Sequence, residues 1–275
     1  MFRGRVEPLG PETMGAALAL LERAPYDNVF LQWLIESGRL APGARVIVAR
    51  SSGERVDGVA YDGPQIVLAG EGPAIDVFAE TLSSSSARRM IVSPRPLVER
   101  FWERARNAFP TPSLVRRSQP VYALEPSWLR APVLELPGLE RAAPAETDEI
   151  AAHAARMSAG ELGSSDEVDP AYRGRIEASI RAGAYWRYRI EGRLIFQCHA
   201  GPFTAATVQL QGIWTPPNER GHGHATRALG IICARLLAEH RTLSLYVNDS
   251  NRAGIALYER LGFRRVGEFA SLIFI

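Results

Sequence analysis

Apolar and polar positions recur along the chain with two periods, and the switch from one to the other marks the elements. Phe2–Glu7 reads as a short strand. Two helical patterns follow Pro11; Asp27 is the expected N-cap of the second, with Phe30, Trp33 and Leu34 on one face. Three strands are expected at Val46–Arg50, Arg55–Tyr61 and Gln65–Ala69, separated by turns at Gly53 and Gly63. A helix (Ile75–Leu82), a strand (Arg89–Val92), a helix (Leu97–Phe109) and two strands around Leu114–Leu124 complete this half.

Pro126, Pro132 and Pro137 then punctuate a linker. Beyond it the order repeats. Thr147–Glu161 is helical, and Asp169 with Pro170 supplies the N-cap and first-turn proline of a second helix. Strands are expected at Tyr185–Ile190, Leu194–His199 and Ala206–Thr215, and a long helix at Gly223–His240, where Ala225, Leu229, Ile232 and Leu236 share an apolar face. Leu243, Leu245 and Val247 alternate as a strand, Asn251–Leu261 is helical, and two strands close the chain. The fold class is α/β with a mixed sheet, and one architecture is present twice.

Composition narrows the chemistry. All 32 basic residues among the 275 are arginine. Without lysine, neither a Walker-type phosphate loop nor Schiff-base catalysis is possible. The halves split at residue 138 each carry a net charge of +1, so neither is a basic nucleic-acid platform. No apolar run is long enough to span a membrane and no secretory stretch opens the sequence, so a cytoplasmic protein is expected. Two cysteines, Cys198 and Cys233, are too few for a disulfide scaffold or a cysteine-rich metal site. His222 and His224, two apart, are expected to point away from each other without a third ligand, so no metal is expected. His153 and His240 read as helix-surface residues, and Trp186 as packing between sheet and helix.

The segment that carries chemistry is Ile213-Trp214-Thr215-Pro216-Pro217-Asn218-Glu219, the end of a strand, running into Arg220-Gly221-His222-Gly223-His224-Ala225-Thr226, the start of the long helix. Glycines at a strand-to-helix turn let backbone amides approach a pyrophosphate, and first-turn N–H groups are free donors. The order Arg220, Gly223, Ala225 after a strand, followed downstream by Asn251 and by Leu257-Tyr258-Glu259-Arg260-Leu261-Gly262-Phe263, resembles the GNAT superfamily of acyl-CoA-dependent N-acetyltransferases. The resemblance covers roughly residues 139–275. The whole chain also resembles an uncharacterised bacterial GNAT group with an extra N-terminal domain. It implies a degenerate GNAT-like domain over 1–125, a linker over 126–138 and a catalytic domain over 139–275.

The resemblance also implies roles. Amides around Ile213, Trp214 and Thr215 would bind the pantetheine arm of acetyl-CoA, the turn from Arg220 through Thr226 its pyrophosphate, and Asn251 the cofactor arm. Tyr258 would protonate the leaving thiolate, as a phenol with a reference pKa near ~10 is able to. Many members of the family carry an acidic base on the strand before the turn, where this chain has Gln209 and Gln211. Glu161, Asp166, Glu167 and Asp169 form an arginine-free acidic run, from which Glu161 is taken as a base acting through water. In the first half the corresponding turn is Ala69-Gly70-Glu71-Gly72-Pro73-Ala74, where Glu71 repels phosphate and Pro73 lacks an N–H. The function implied is transfer of an acetyl group to a primary amine, on a small molecule or a peptide, by a monomer or homodimer. A non-catalytic acyl-CoA sensor or assembly module is the alternative.

Overall fold

The computed structural model describes residues 4–51, 55–82, 90–131, 135–162 and 165–274. In chain order the elements are β1 (Arg5–Pro8), α1 (Pro11–Leu21), α2 (Val29–Ser37), β2 (Arg45–Arg50), β3 (Val56–Asp62), β4 (Gln65–Gly70), α3 (Gly72–Thr81), β5 (Met90–Pro94), α4 (Arg95–Ala105), β6 (Leu114–Leu124), β7 (Leu139–Arg141), α5 (Thr147–Leu162), α6 (Pro170–Arg181), β8 (Tyr185–Ile190), β9 (Arg193–Phe203), β10 (Thr207–Trp214), α7 (His224–Leu237), β11 (Thr242–Tyr246), α8 (Arg252–Leu261) and β12 (Arg264–Ile273). The expected turn at Gly53, Pro132, and the first residues of the strands expected from Phe2 and Arg89 lie outside the described residues. Leu114–Leu124 and the C-terminal stretch each form one long strand instead of two, because neither contains a turn-forming pair.

The chain folds into two compact units that do not follow its two halves. Unit 1 comprises 1–122, 246–252 and 265–275; unit 2 comprises 123–245 and 253–264. β12, from the second half, runs between β5 and β6 in unit 1. It pairs antiparallel with β5, Phe269 opposite Pro94 through Ile273 opposite Met90.

In unit 1 the strand order is β1-β2-β3-β4-β5-β12-β6. Strand alternation sends Val46 and Val48 to one face, where they meet Leu20 and Leu21 of α1 and Leu31 and Leu34 of α2. Ile47 and Ala49 face the other side, against Ile75 and Phe78 of α3 and Val98 and Phe101 of α4. Each large aliphatic or aromatic side chain buried in this way contributes roughly 1.5–3 kcal/mol. Asp27 does not cap α2. The cap position belongs to Asn28, whose side chain instead donates to the Leu21 carbonyl at 3.0 Å.

In unit 2 the order is β11-β10-β9-β8-β7. Ile150, Ala151 and Ala154 of α5 and Ile176 and Ile180 of α6 pack on Tyr185 and Leu194. Asp169 caps α6 as expected, accepting from the Tyr172 N–H at 2.8 Å with Pro170 in the first turn. Trp186, on the opposite strand face from Tyr185, is buried between the guanidinium of Arg141, 4.8 Å from its ring, and that of Arg235 of α7, at 5.5 Å. The segment read as a linker is anchored at its start: Arg130 N–H donates to the Leu261 carbonyl at 2.9 Å, and Arg264 stacks over Trp128.

Candidate active site

β10 changes character half-way along. Its parallel ladder with β11 runs from Thr207 opposite Thr242 to Gln209 opposite Ser244. On its other side Gln211 lies opposite His199, but the next pair is Trp214 opposite Gln197. Three steps along β10 thus match two along β9. This is a bulge, and Gly212 sits in it with a φ of 57°, a conformation that L side chains rarely adopt. The bulge bends the strand beyond the paired stretch, and the backbone at Ile213 and Thr215 follows directly.

A single 3₁₀ turn, Pro217–Glu219, leads to the glycine turn. Arg220 is exposed and its Nε donates to the Thr215 carbonyl at 3.0 Å, tying the start of the turn to the end of the strand. Gly221 and Gly223 have φ of 83° and 73°. A Cβ at Gly221 would enter open space, so backbone conformation requires glycine there. Gly223 is the N-cap of α7 and offers no side chain, and the first backbone bond back to it comes from Arg227 N–H at 3.2 Å. The amides of His224, Ala225 and Thr226 precede that bond and are the donors a helix start leaves over.

Arg227 completes the turn and was not singled out in the sequence. Its Nη2 donates to the His222 carbonyl at 3.2 Å and lies 3.0 Å from His224 Nδ1. Because guanidinium only donates, His224 Nδ1 is the acceptor. Burial and the charge of Arg227 hold the His224 pKa below the ordinary histidine range, so this imidazole is neutral. The His222 and His224 rings do not point apart as expected; their centroids are 5.7 Å apart. No group of three or more metal-ligating side chains stands together among the described residues.

Tyr258 of α8 is buried, with its ring edge-on to Phe263 at 5.9 Å. Burial pushes its phenol well above the ordinary range, and the Cys198 thiol, Glu161 and the Cys233 thiol add to the shift. Glu161, exposed on the last turn of α5, is thus brought within electrostatic reach of Tyr258. Asn251 is exposed and belongs to unit 1; its N–H donates to the Asn248 carbonyl at 2.9 Å.

The face of unit 2 that carries Gln211 and Trp214 is polar, with His199 and Gln197 opposite them on β9. Gln211 donates to Gln209 at 2.9 Å. Burial drives the His199 pKa down to about 4, and its ring rests 4.8 Å from that of Tyr185. Both amide atoms of Gln197 and the Ser244 hydroxyl are buried without a partner among the described residues. His153 is not the surface residue expected: its ring packs at 4.7 Å against Trp214, Nδ1 is buried and unpartnered, and burial lowers its pKa. His240 is likewise less exposed than expected, with a buried and unpartnered Nδ1. His153 was findable, since it lies one turn beyond Ile150 beside the apolar stripe of α5. His199 and Gln197 needed the register of β9 against β10.

The equivalent place in unit 1 is built differently. β3 and β4 pair without a break from Gly58 opposite Gly70 to Asp62 opposite Ile66. The Leu68 N–H donates to Ser93 Oγ at 2.7 Å, and α3 opens on Glu71 with proline in its first turn.

Residues 163–263 match the sequence profile described as the acetyltransferase (GNAT) family. This segment is similar to a GNAT acetyltransferase domain. Acyl-CoA-dependent acetyl transfer is the activity of that family, with acetyl-CoA as donor. No curated protein matches the chain in sequence. Solved structures similar to it include a GNAT-family acetyltransferase from Colwellia psychrerythraea (TM-score 0.61, 12% identity, 98% of this chain and 100% of that one). A Drosophila protein aligns with a TM-score of 0.68 at 14% identity over 98% of both chains. A tandem GNAT protein from the clavulanic acid biosynthesis pathway aligns at 0.58 and 18% identity, again over 98% of both. At these identities the likeness is one of fold, and it extends over both halves, in keeping with a tandem GNAT architecture.

Proposed function

We propose that unit 2 binds acetyl-CoA and transfers its acetyl group to a primary amine by direct attack. The observation that carries this reading is the bulge at Gly212 followed at once by the two-glycine turn into α7. A bent strand presents its amides at Ile213 and Thr215 to the pantetheine arm. The turn then offers the amides from Gly221 to Thr226, with Arg220 and Arg227 as cations, to the pyrophosphate. A backbone N–H at the bend stabilises the oxyanion as the amine attacks the thioester carbonyl. The C–S bond breaks, and Tyr258 gives its proton to the departing thiolate. Its raised pKa fits that part, because the phenol keeps its proton at neutral pH. Glu161 takes the amine proton through water, and its place within reach of Tyr258 supports putting acid and base in one site.

Unit 1, in this reading, binds no cofactor. Its unbroken β3–β4 register and the Ser93 bond to the Leu68 amide leave no bent strand there, and proline removes a donor from α3. A sensor without turnover is favoured by one observation, the Gln209–Gln211 pair where a carboxylate is usual in the family. Calorimetry with acetyl-CoA, alone and with Arg220→Glu, tests the shared premise. Amine-dependent release of CoA by wild type and Tyr258→Phe then separates enzyme from sensor: turnover that Tyr258→Phe loses while still binding establishes the enzyme.

A further inference from the structure

Asp27 stands in the turn between α1 and α2 of unit 1, half-buried, and no hydrogen bond or ion pair is made to its carboxylate among the described residues. Arg45, Arg50, Arg95 and Arg100 of the same unit all hold carboxylates. The position is fixed. The Asp27 N–H donates to the Ala24 carbonyl at 3.1 Å, and neighbouring Asn28 is pinned through its side chain to Leu21 at 3.0 Å.

The surroundings are apolar. Asp27 Oδ1 lies over Gly267 of β12, where a Cβ would come within 3.3 Å of it and 3.7 Å of Val121. Glycine at 267 leaves the carboxylate its room. Val121 and Phe269 belong to the apolar cluster against which the partly exposed Phe30, Trp33 and Tyr246 pack. Phe30 is three residues beyond Asp27, and the Tyr246 and Phe269 rings are 5.2 Å apart.

We propose that Asp27, with the partly exposed rings of Phe30 and Tyr246, is a binding site for an organic ammonium with an apolar body. A carboxylate losing water against apolar surface regains most from a charge-assisted bond to a cation. Aromatic faces attract the same charge and cover the apolar part of the ligand. An anion is excluded by the carboxylate, and no group of three or more acidic, histidine or cysteine side chains that could hold a metal ion stands there among the described residues. The burial that raises the Asp27 pKa is the same feature seen from the proton's side. A primary amine is also the acceptor class proposed above, but this site stands on unit 1 alone and its test reads binding, not turnover.

The test is calorimetric titration of the full chain at neutral pH with 2-phenylethylamine and, in parallel, with its neutral isostere 2-phenylethanol. The expected result is at least tenfold tighter binding of the amine, with Asp27→Asn bringing the two ligands to the same affinity. Phe30→Leu weakens both ligands while keeping the preference for the amine. Equal binding of amine and alcohol, no binding of either, or an amine affinity unchanged in a folded Asp27→Asn variant overturns the proposal. A melting temperature for Asp27→Asn at or above that of wild type establishes that any loss is not unfolding.

Discussion

Arg227 donates to the carbonyl of His222, five residues before it, so the first turn of α7 is cross-braced by its own cation. Burial, together with the same guanidinium, lowers the His224 pKa. Arg227→Ala is expected to lower acetyl-CoA affinity by about 10- to 100-fold, given roughly 1.5–3 kcal/mol for a hydrogen bond to a charged group. Calorimetry measures it, with Arg227→Lys as comparison, since lysine keeps the charge without the forked geometry.

Tyr258 lies in surroundings that oppose the phenolate. An acid whose pKa is raised keeps its proton to higher pH, so turnover has no alkaline limb from Tyr258 at or below its reference value near ~10. Tyr258→Phe is expected to cut kcat by about 10²- to 10⁴-fold, the usual worth of general acid–base catalysis, with acetyl-CoA binding unchanged. Steady-state kinetics across pH beside calorimetry checks both halves of this statement.

His199 links stability to pH. Its folded pKa of about 4 lies below the ordinary histidine value of about 6.5, so the native state favours the neutral ring. The contribution is fully present above pH about 6.5 and is lost as pH falls toward about 4, on the order of 3 kcal/mol in all. Melting temperature should fall through this window, and His199→Gln should flatten the fall. An equal slope in both proteins would refute the assignment.

Two glycines with positive φ separate conformation from contact. Gly221→Ala meets open space and is expected to cost about 1–2 kcal/mol from the backbone alone. Gly262→Ala would drive a Cβ into the Trp128 carbonyl, so backbone must move as well. Its melting temperature is expected to fall well below that of Gly221→Ala, as thermal denaturation of the pair will show.

Because β12 runs between β5 and β6, a fragment of residues 1–124 is expected to remain unfolded alone and to gain structure when a peptide of residues 264–273 is added. Circular dichroism with and without the peptide decides this. A folded fragment alone would refute it.

Much of this was legible in the sequence. The alternation of Tyr185–Ile190 predicts β8 at its exact bounds, and the Asp169-Pro170 pair predicts the cap of α6. The glycine turn was legible because positive φ restricts residue choice. What escaped was whatever depends on register or on distant pairing. Gln211 faces His199 only once a one-residue bulge is counted, and no local pattern assigns β12 to unit 1. Asp27 misled for a related reason: a turn aspartate looks like a cap, and only the packing puts its carboxylate over Gly267.

The placement of β12 also sets an order in time. On a ribosome adding roughly 5–20 residues per second, β1 to β5 emerge early, yet their sheet lacks its next strand until Arg264–Ile273 has been made. Folding of unit 1 during synthesis is therefore postponed, and for most of translation the edge of β5 stands open to any other nascent strand.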